Sequence, residues 1–552
     1  MRLPLLSLLS FFPMVMPAQI NLSGSVQSDV LVGQRDHAIG ADKTNDVQSN
    51  TYANIQLSSR YVDAGARLEY MEQPLPGFEP DFKGWGVPHV FVKSKLKDVD
   101  LTIGTFYEQF GCGFILRTYE ERSLGMDNAL AGARVVAHPF KGVAIKALSG
   151  RQRRYWSLNK SLVSGTDAEF NIDEWIPALT RHNTRLMLGA SWVNRRENNG
   201  SEVFADATHR VRFPKYVNAW DMRTSLNKGG WDVLLEYAQK TDDPSYANGY
   251  IFRKGTAALL SGSYSRKGMS VLVQTKRSEN MSFKSTGVPS KAIGIASSIN
   301  HLPSFTHDHS YTLATLYPWS TQMADGEWAY QGEMGYLFRR GTALGGRYGT
   351  SVKANLSYVK PIRRRFINKA ESHSLAGTTD LAGTEGYHTS FIKWGSGTYY
   401  QDLNVELTKK MTAAFKLTLM YMNQRYNQTV AEGHGGMVDS HIFIAEGQWN
   451  IGGKIILRSE LQYLTTCDDL GDWGYALAEL SIAPNWSITA SDLYNAGNTH
   501  THFYQIGGAY SLGSHRIQVG YGRTRAGYNC SGGVCRYVPA SKGVTLSYNY
   551  TF

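Results

Sequence analysis

Gly543-Val-Thr-Leu-Ser-Tyr-Asn-Tyr-Thr-Phe552 is the stretch on which the fold turns. Val544, Leu546, Tyr548, Tyr550 and Phe552 share one parity; Thr545, Ser547, Asn549 and Thr551 share the other. Successive side chains of a strand point to opposite faces, so this segment has one apolar, aromatic face and one polar face. A strand of this kind buries one side and wets the other.

Working outward, the same alternation recurs. Val233, Leu235 and Tyr237 oppose Leu234 and Glu236; Val352, Ala354, Leu356 and Tyr358 oppose Lys353, Asn355 and Ser357. Leu403, Val405 and Leu407 oppose Asn404, Glu406 and Thr408, and Phe415, Leu417, Leu419 and Tyr421 follow the same rule. The repeating unit is an alternating segment of about ten residues, a tight polar turn, a second segment and a long polar loop, the pattern of an up-and-down barrel. Tight turns are read at Val62–Gly65, Leu96–Val99, Pro139–Gly142, Asn227–Gly230, Ser265–Gly268, Lys409–Thr412, Asn450–Gly453, Ala483–Asn485 and Leu512–His515. Two looser ones fall at Pro177–Asn183 and Arg339–Gly346. Gly, Asn, Asp and Pro supply the backbone angles these turns need. Eleven inner turns and twelve outer loops predict an all-β fold: one large antiparallel barrel of about 24 strands, within 22–26, with short periplasmic turns and long extracellular loops. The weakest strand signals lie at Asp167–Ile176 and inside 277–327.

The N-terminus places this barrel in a membrane. Met1-Arg2 followed by the apolar run Leu3–Val15 and Met16-Pro17-Ala18 reads as a secretory signal peptide over residues 1–18, with cleavage at about Gln19. The remaining chain, 19–552, has no other apolar run long enough for a membrane helix. A chain that crosses lipid without helices must close into a barrel to satisfy its backbone groups. The alternating segment begins at Ile20, leaving no room for the preceding domain of a plugged, energised transporter. The formal charge of +11 is spread along the chain without a basic cluster, so nucleic acid is not an expected partner. The cationic excess instead suits a pore favouring anions, or acidic lipid head groups.

Parity assigns Arg67, Glu69, Arg185, Arg223, Glu236, Lys276, Glu333, Lys353, Glu406, Lys416, Arg458, Glu460, Glu479 and Arg516 to the lumen, since charge is costly facing lipid. Trp231, Trp449 and Trp486 beside turns, and Trp220, Trp328 and Trp473 near other strand ends, suggest an interfacial aromatic girdle.

The densest cluster of charge is Gly104–Ala129. Glu108, Arg117, Glu120, Glu121, Arg122 and Asp127 are packed there among Tyr107, Phe110, Tyr119 and glycines. Opposite charges at this density suit a salt-bridged element folded into the lumen, where such side chains set pore selectivity. Residues 107–129 and 277–327 are therefore candidate constricting or capping loops. The run Phe-Tyr-Glu-Gln-Phe-Gly-x-Gly-x-x-Leu-Arg-x-Tyr-Glu-x-Arg-x-Leu-Gly-x-Asp-x-Ala at Phe106–Ala129 resembles the hallmark of a family of Bacteroidota outer-membrane, porin-like barrels with no assigned activity. The resemblance extends to His301–Pro318 and implies fold and location, not chemistry. The terminal strand is likewise similar to the closing strand of bacterial outer-membrane barrels, whose last Phe is read by the barrel-assembly machinery.

Cys530 and Cys535 flank Ser-Gly-Gly-Val and are expected to form a disulfide. A pairing of Cys112 with Cys467 is left open. His301, His307, His309 and Asp308, and separately His500 and His502, lack a strict ligand pattern, so no metal is expected. No cofactor is expected either. No Gly-x-Ser-x-Gly elbow is present, Leu260–Tyr264 coming nearest, and an enzyme is not the expectation. The leading reading is a porin-like channel for passive passage of small solutes, anions among the candidates. A barrel subunit of an envelope secretion or assembly complex is second, and a surface hydrolase third. Expected partners are outer-membrane lipid and lipopolysaccharide, the assembly machinery through the C-terminal strand, and further proteins not identifiable from sequence.

Overall fold

The computed structural model describes residues 20–41, 47–198, 202–205, 208–287, 297–303, 305–319, 326–367, 381–531 and 534–552. The signal peptide read at residues 1–18 lies outside the described residues. The main sheet has 26 strands; two of them, Ser157–Leu158 and Tyr387–Trp394, are side strands outside the ring, leaving a closed antiparallel barrel of 24. In chain order the ring strands are β1 Asn21–Gly33, β2 Val47–Ser58, β3 Val62–Met71, β4 Gly84–Lys95, β5 Val99–Phe106, β6 Leu130–Ala137, β7 Val143–Arg154 and β8 Leu162–Asn171. They continue as β9 Thr184–Arg196, β10 Tyr216–Lys228, β11 Trp231–Lys240, β12 Gly255–Arg266, β13 Met269–Glu279, β14 Glu327–Phe338, β15 Thr350–Phe366 and β16 Tyr400–Lys410. The last eight are β17 Phe415–Asn427, β18 Met437–Ile451, β19 Ile455–Thr465, β20 Trp473–Ile482, β21 Trp486–Asn495, β22 His502–Leu512, β23 His515–Thr524 and β24 Ser541–Thr551.

Each strand pairs with its sequence neighbour, and β24 closes on β1 with Ser25 opposite Thr551 and Val32 opposite Val544. The seam is completed by Phe552: its N–H donates to the Gly24 carbonyl and the Gly24 N–H donates to Phe552, both at 3.0 Å. Gly24 is small for a reason. A Cβ there would stand 2.4 Å from the Phe552 ring.

The eleven short reversals fall on one side of the barrel, ten of them at the expected turns, and the twelve longer connections fall on the other. One turn is displaced: Val62–Gly65 is strand, and the reversal uses Ser59–Tyr61, where Ser59 Oγ donates to the Val62 carbonyl and accepts its N–H. The weak signal at Asp167–Ile176 is real strand as far as Asn171, whereas the described part of 280–326 adds no strand to the ring.

Register confirms the inward face. Opposed residues share a face, and the pairs Asn54–Arg67, Tyr52–Glu69, Arg223–Glu236, Leu259–Lys276, Lys353–Glu406, Arg458–Glu479 and Arg516–Asn549 belong to the set facing inward. The other face is apolar and uncovered: Ile55, Ile103, Leu260, Phe443, Leu461, Ile506 and Val519 are all exposed. A soluble protein does not carry such a belt around its whole circumference. Among the described residues no helix is long and apolar enough to cross a membrane. The closed ring with this polarity is an outer-membrane β-barrel, spanning lipid with its strands.

The aromatic girdle needs one correction. Trp231, Trp449 and Trp486 sit on the lipid face beside turns, and Trp220 and Trp328 on the same face at the other rim. Trp473 faces inward: it opposes Asn495, is 3% exposed and stacks on Phe503. It begins its strand at the loop side, where the lumen is filled.

Candidate functional site

Two long loops turn into the lumen. Residues 107–129 run down the wall between β3 and β11. Glu108 is held by Arg134 at 2.5 Å and Lys146 at 3.3 Å, both inward-facing wall residues. The Cys112 N–H donates to the Glu236 carboxylate at 2.9 Å. Asp127 receives Arg67 and, at 2.5 Å, Arg153; the same two guanidiniums hold Glu69 at 2.7 and 2.6 Å, and Arg67 reaches Glu120 at 2.9 Å. Arg122 bonds Glu120 at 2.8 Å and Gln27 at 2.8 Å, and lies over the Tyr52 ring. Glu121 caps the short turn that follows, accepting from the Ser123 N–H at 3.1 Å. Five of the six candidate residues are thus bonded within the loop, to the wall or to another loop.

Arg117 is the sixth and differs. Its guanidinium lies over the Tyr119 ring, 4.6 Å from the centroid, and has no ion pair among the described residues.

The described residues of 280–326 pack against the first loop and against the opposite wall. The Arg117 N–H donates to the Ile299 carbonyl and the His301 N–H to Gly113, both at 2.9 Å, a short zipper between the loops. Lys276 donates to the Pro303 carbonyl at 2.8 Å and pairs with Glu327 at 2.9 Å. At the tip, His307 meets Glu333 at 2.8 Å and His309 meets Asp402 at 2.6 Å. The Leu313 N–H donates to Gln462 at 2.8 Å, and Gln424 donates to the Tyr317 carbonyl at 3.2 Å. Phe283, Ile299, Leu302, Phe305 and Leu313 then join Val217, Ala238, Met422, Ile442 and Leu464 of the wall in one buried cluster. Burial of this apolar surface, at roughly 25 cal/mol per Å², is what holds the loop inside.

A third loop, 525–540, lies over both. Its hairpin Gly527–Ser531 and Val534–Val538 carries the Cys530–Cys535 disulfide. Arg536 donates to the Leu124 carbonyl at 2.5 Å, Arg525 to Leu316 at 3.3 Å, and Ser531 to Glu121 at 3.1 Å. Cys112 and Cys467 are both free thiols. Burial, with the nearby Glu236 carboxylate, pushes the Cys112 thiol well above its usual range, so it is protonated at neutral pH.

Parity finds Lys276, Glu236 and Glu333. It misses Asp402, Gln424, Gln462 and Glu327, which have the same parity but become anchors only because a distant loop reaches them.

The lumen is filled unevenly. Inward residues of β13 to β19 near the loop ends are sealed, Lys276, Glu327, Ser357, Asp402, Gln424, Ser440, Met422 and Ile442 having no accessible surface, whereas Glu333, Lys353 and Glu406 nearer the turns stay accessible and line a cavity of about 850 Å³ with His307 and Asp308. Inward residues of β21 to β24 are Ser487, Thr489, Ser491, Gln505, Gly507, Gln518, Gly520 and Thr545, all partly or fully accessible around a cavity of about 300 Å³. Small side chains here leave space that the loops do not enter.

A family profile described as a family of unknown function, DUF6029, matches residues 2–552. The chain belongs to that family. No curated protein is similar to it in sequence. Among solved structures, it is similar to the siderophore receptor PirA from Pseudomonas aeruginosa (10% identity, TM-score 0.39, covering 96% of this chain and 80% of that one). It is also similar to a mutant ferric enterobactin receptor PfeA from the same organism (10% identity, TM-score 0.46, 97% and 81%). OccAB3 of Acinetobacter baumannii matches at 8% identity and a TM-score of 0.32, over 97% and 99%. These likenesses are too loose to carry anything about solute or partner.

Proposed function

We propose that this DUF6029 protein is a porin-like channel for passive passage of small solutes, narrowed by 107–129 and 277–327 and by the candidate residues Glu108, Arg117, Glu120, Glu121, Arg122 and Asp127. The observation that carries the reading is the uneven filling of the lumen. Its loops seal the loop-side part of β13 to β19 but leave a cavity of about 850 Å³ toward the turns, and the inward Gly, Ser, Thr and Gln of β21 to β24, with Glu479 and Arg516, stay accessible around a second cavity of about 300 Å³. A structural plug has no need of such open space; a restricted pore requires it. Anion preference is part of the proposal, resting on Arg117 and on the formal charge of +11. The Bacteroidota origin suggested by the 106–129 motif, and contacts with lipopolysaccharide and the assembly machinery through Gly543–Phe552, belong to the same proposal.

The test is planar-bilayer conductance of the full barrel, with Gly507→Trp and Gly520→Trp as narrowing variants. Both glycines face inward at the second cavity. Steps that shrink several-fold in the variants support the channel. A silent barrel, or steps indifferent to both substitutions, refutes it and favours a scaffold in a larger envelope complex.

A further inference from the structure

Where the three loops meet they enclose a chamber of about 500 Å³. Its lining differs from the rest of the first loop, where Glu108, Glu120, Arg122 and Asp127 are neutralised in ion pairs. In this chamber two opposite charges stand without partners among the described residues.

Arg117, from the first loop, is one of them; it is half-buried, stacked on Tyr119 and has no carboxylate. Asp308, from the second loop, is the other. Its neighbours His307 and His309 are taken by Glu333 and Asp402, while Asp308 itself is exposed into the space. A third group points the same way. His301 is 3% exposed, lines the chamber, and its Nδ1 is buried with no hydrogen-bond partner among the described residues. Burial, together with Arg117 and Lys276, holds its imidazole down to about 3, so it stays neutral at ordinary pH. Buried polar nitrogens are nearly always bonded, and an unpartnered one near an unpaired guanidinium marks polar groups that the protein itself leaves incomplete here. Trp319, Tyr400 and Tyr528 provide aromatic walls. Apolar faces with a few convergent polar groups are the ordinary make-up of a small-molecule site.

We propose that this chamber binds a small zwitterionic solute, one carrying a carboxylate and an ammonium together with a flat or apolar group that lies against the aromatic walls. The assignment rests on the channel reading above, because a solute reaches the chamber through the lumen. Arg117 takes the carboxylate. Asp308 takes the ammonium and ranks a zwitterion above a simple anion at this station, within a lumen that favours anions over cations. The same arrangement makes the chamber a selectivity station in the passage rather than a bare constriction.

The experiment is calorimetric titration of the full-length barrel in detergent with phenylalanine, phenylacetate, glucose and inorganic phosphate. Phenylalanine is expected to bind saturably and glucose not at all. Arg117→Ala weakens phenylalanine and phenylacetate by at least about tenfold, with Arg117→Lys recovering part of the loss. Asp308→Asn weakens phenylalanine and strengthens phenylacetate. Heat-modified gel migration verifies that each variant is a folded barrel, and Asp308→Asn, a polar change at an exposed position, supplies a second measurement if Arg117→Ala fails to assemble. Phosphate binding that Arg117→Ala abolishes, without any phenylalanine binding, refutes the zwitterion assignment. So does phenylalanine binding indifferent to both substitutions. The two readings separate cleanly: conductance without saturable binding overturns the site and leaves the channel, whereas binding by a barrel silent in bilayers overturns the channel and leaves a receptor site.

Discussion

Arg67 shows what single residues contribute inside this barrel. It is almost fully buried and touches three carboxylates, Glu69, Glu120 and Asp127, two of which are shared with Arg153. Buried ion pairs are weak sources of net stability, but removing one partner strands the others in a poor solvent. Arg67→Ala is therefore expected to cost roughly 3–5 kcal/mol, measurable as a lowered temperature for the heat-induced gel shift. A replacement that merely trimmed a surface charge would leave that temperature unchanged. Gly24 makes the opposite point. Its missing side chain is space for the Phe552 ring, so Gly24→Val should impair barrel closure, seen as a reduced folded fraction on assembly.

Loop docking is decided one element at a time, and two titrating groups make it pH-dependent. Asp127 is held below the ordinary carboxylate range; burial opposes ionisation, but Arg153 and Arg67 outweigh it. Its contribution is present above its unfolded value of about 4 and is lost as pH falls through the lowered folded value. His307 is the reverse case, raised chiefly by its hydrogen bond to Glu333. Its contribution is full below about pH 6.5 and disappears as pH rises through the raised folded value. Protease protection of 107–129 should thus fail first in acid, and that of the His307 tip first on the alkaline side. Loss of both loops at the same pH would contradict the separate anchoring. Other groups facing His307 are Lys353, whose charge opposes the shift, and Asp402, which adds to it. The disulfide hairpin is a third element. Cys530 and Cys535 replaced together by Ser should leave the barrel intact but raise cleavage of 107–129, because the hairpin carries the Arg536, Arg525 and Ser531 contacts.

For the whole molecule, the ring is wide enough to hold docked loops and accessible cavities at once. Deleting 281–325 and joining the flanks with a short Gly-Ser linker is expected to raise conductance several-fold without removing the barrel. The strands pair without that segment, each being bonded to its two neighbours. Unchanged conductance would mean that the loop does not limit passage.

The sequence by itself determined the ring. Period-two alternation reports which face is wet, turn residues mark where the chain reverses, and both signals are local, so strand number, side of the turns and the inward charges were all legible. Trp473 was misread because a tryptophan near a strand end has the same local signal whether lipid or a packed loop covers it. Only the tertiary structure decided what fills the lumen. The anchors Asp402, Gln424 and Gln462 meet a loop about a hundred or more residues away in sequence, and no local pattern encodes such a meeting. Likewise, nothing in the spelling of 104–129 distinguishes Arg117 from Arg122. One has its carboxylate and the other does not, and that difference arises from where the loops come to rest.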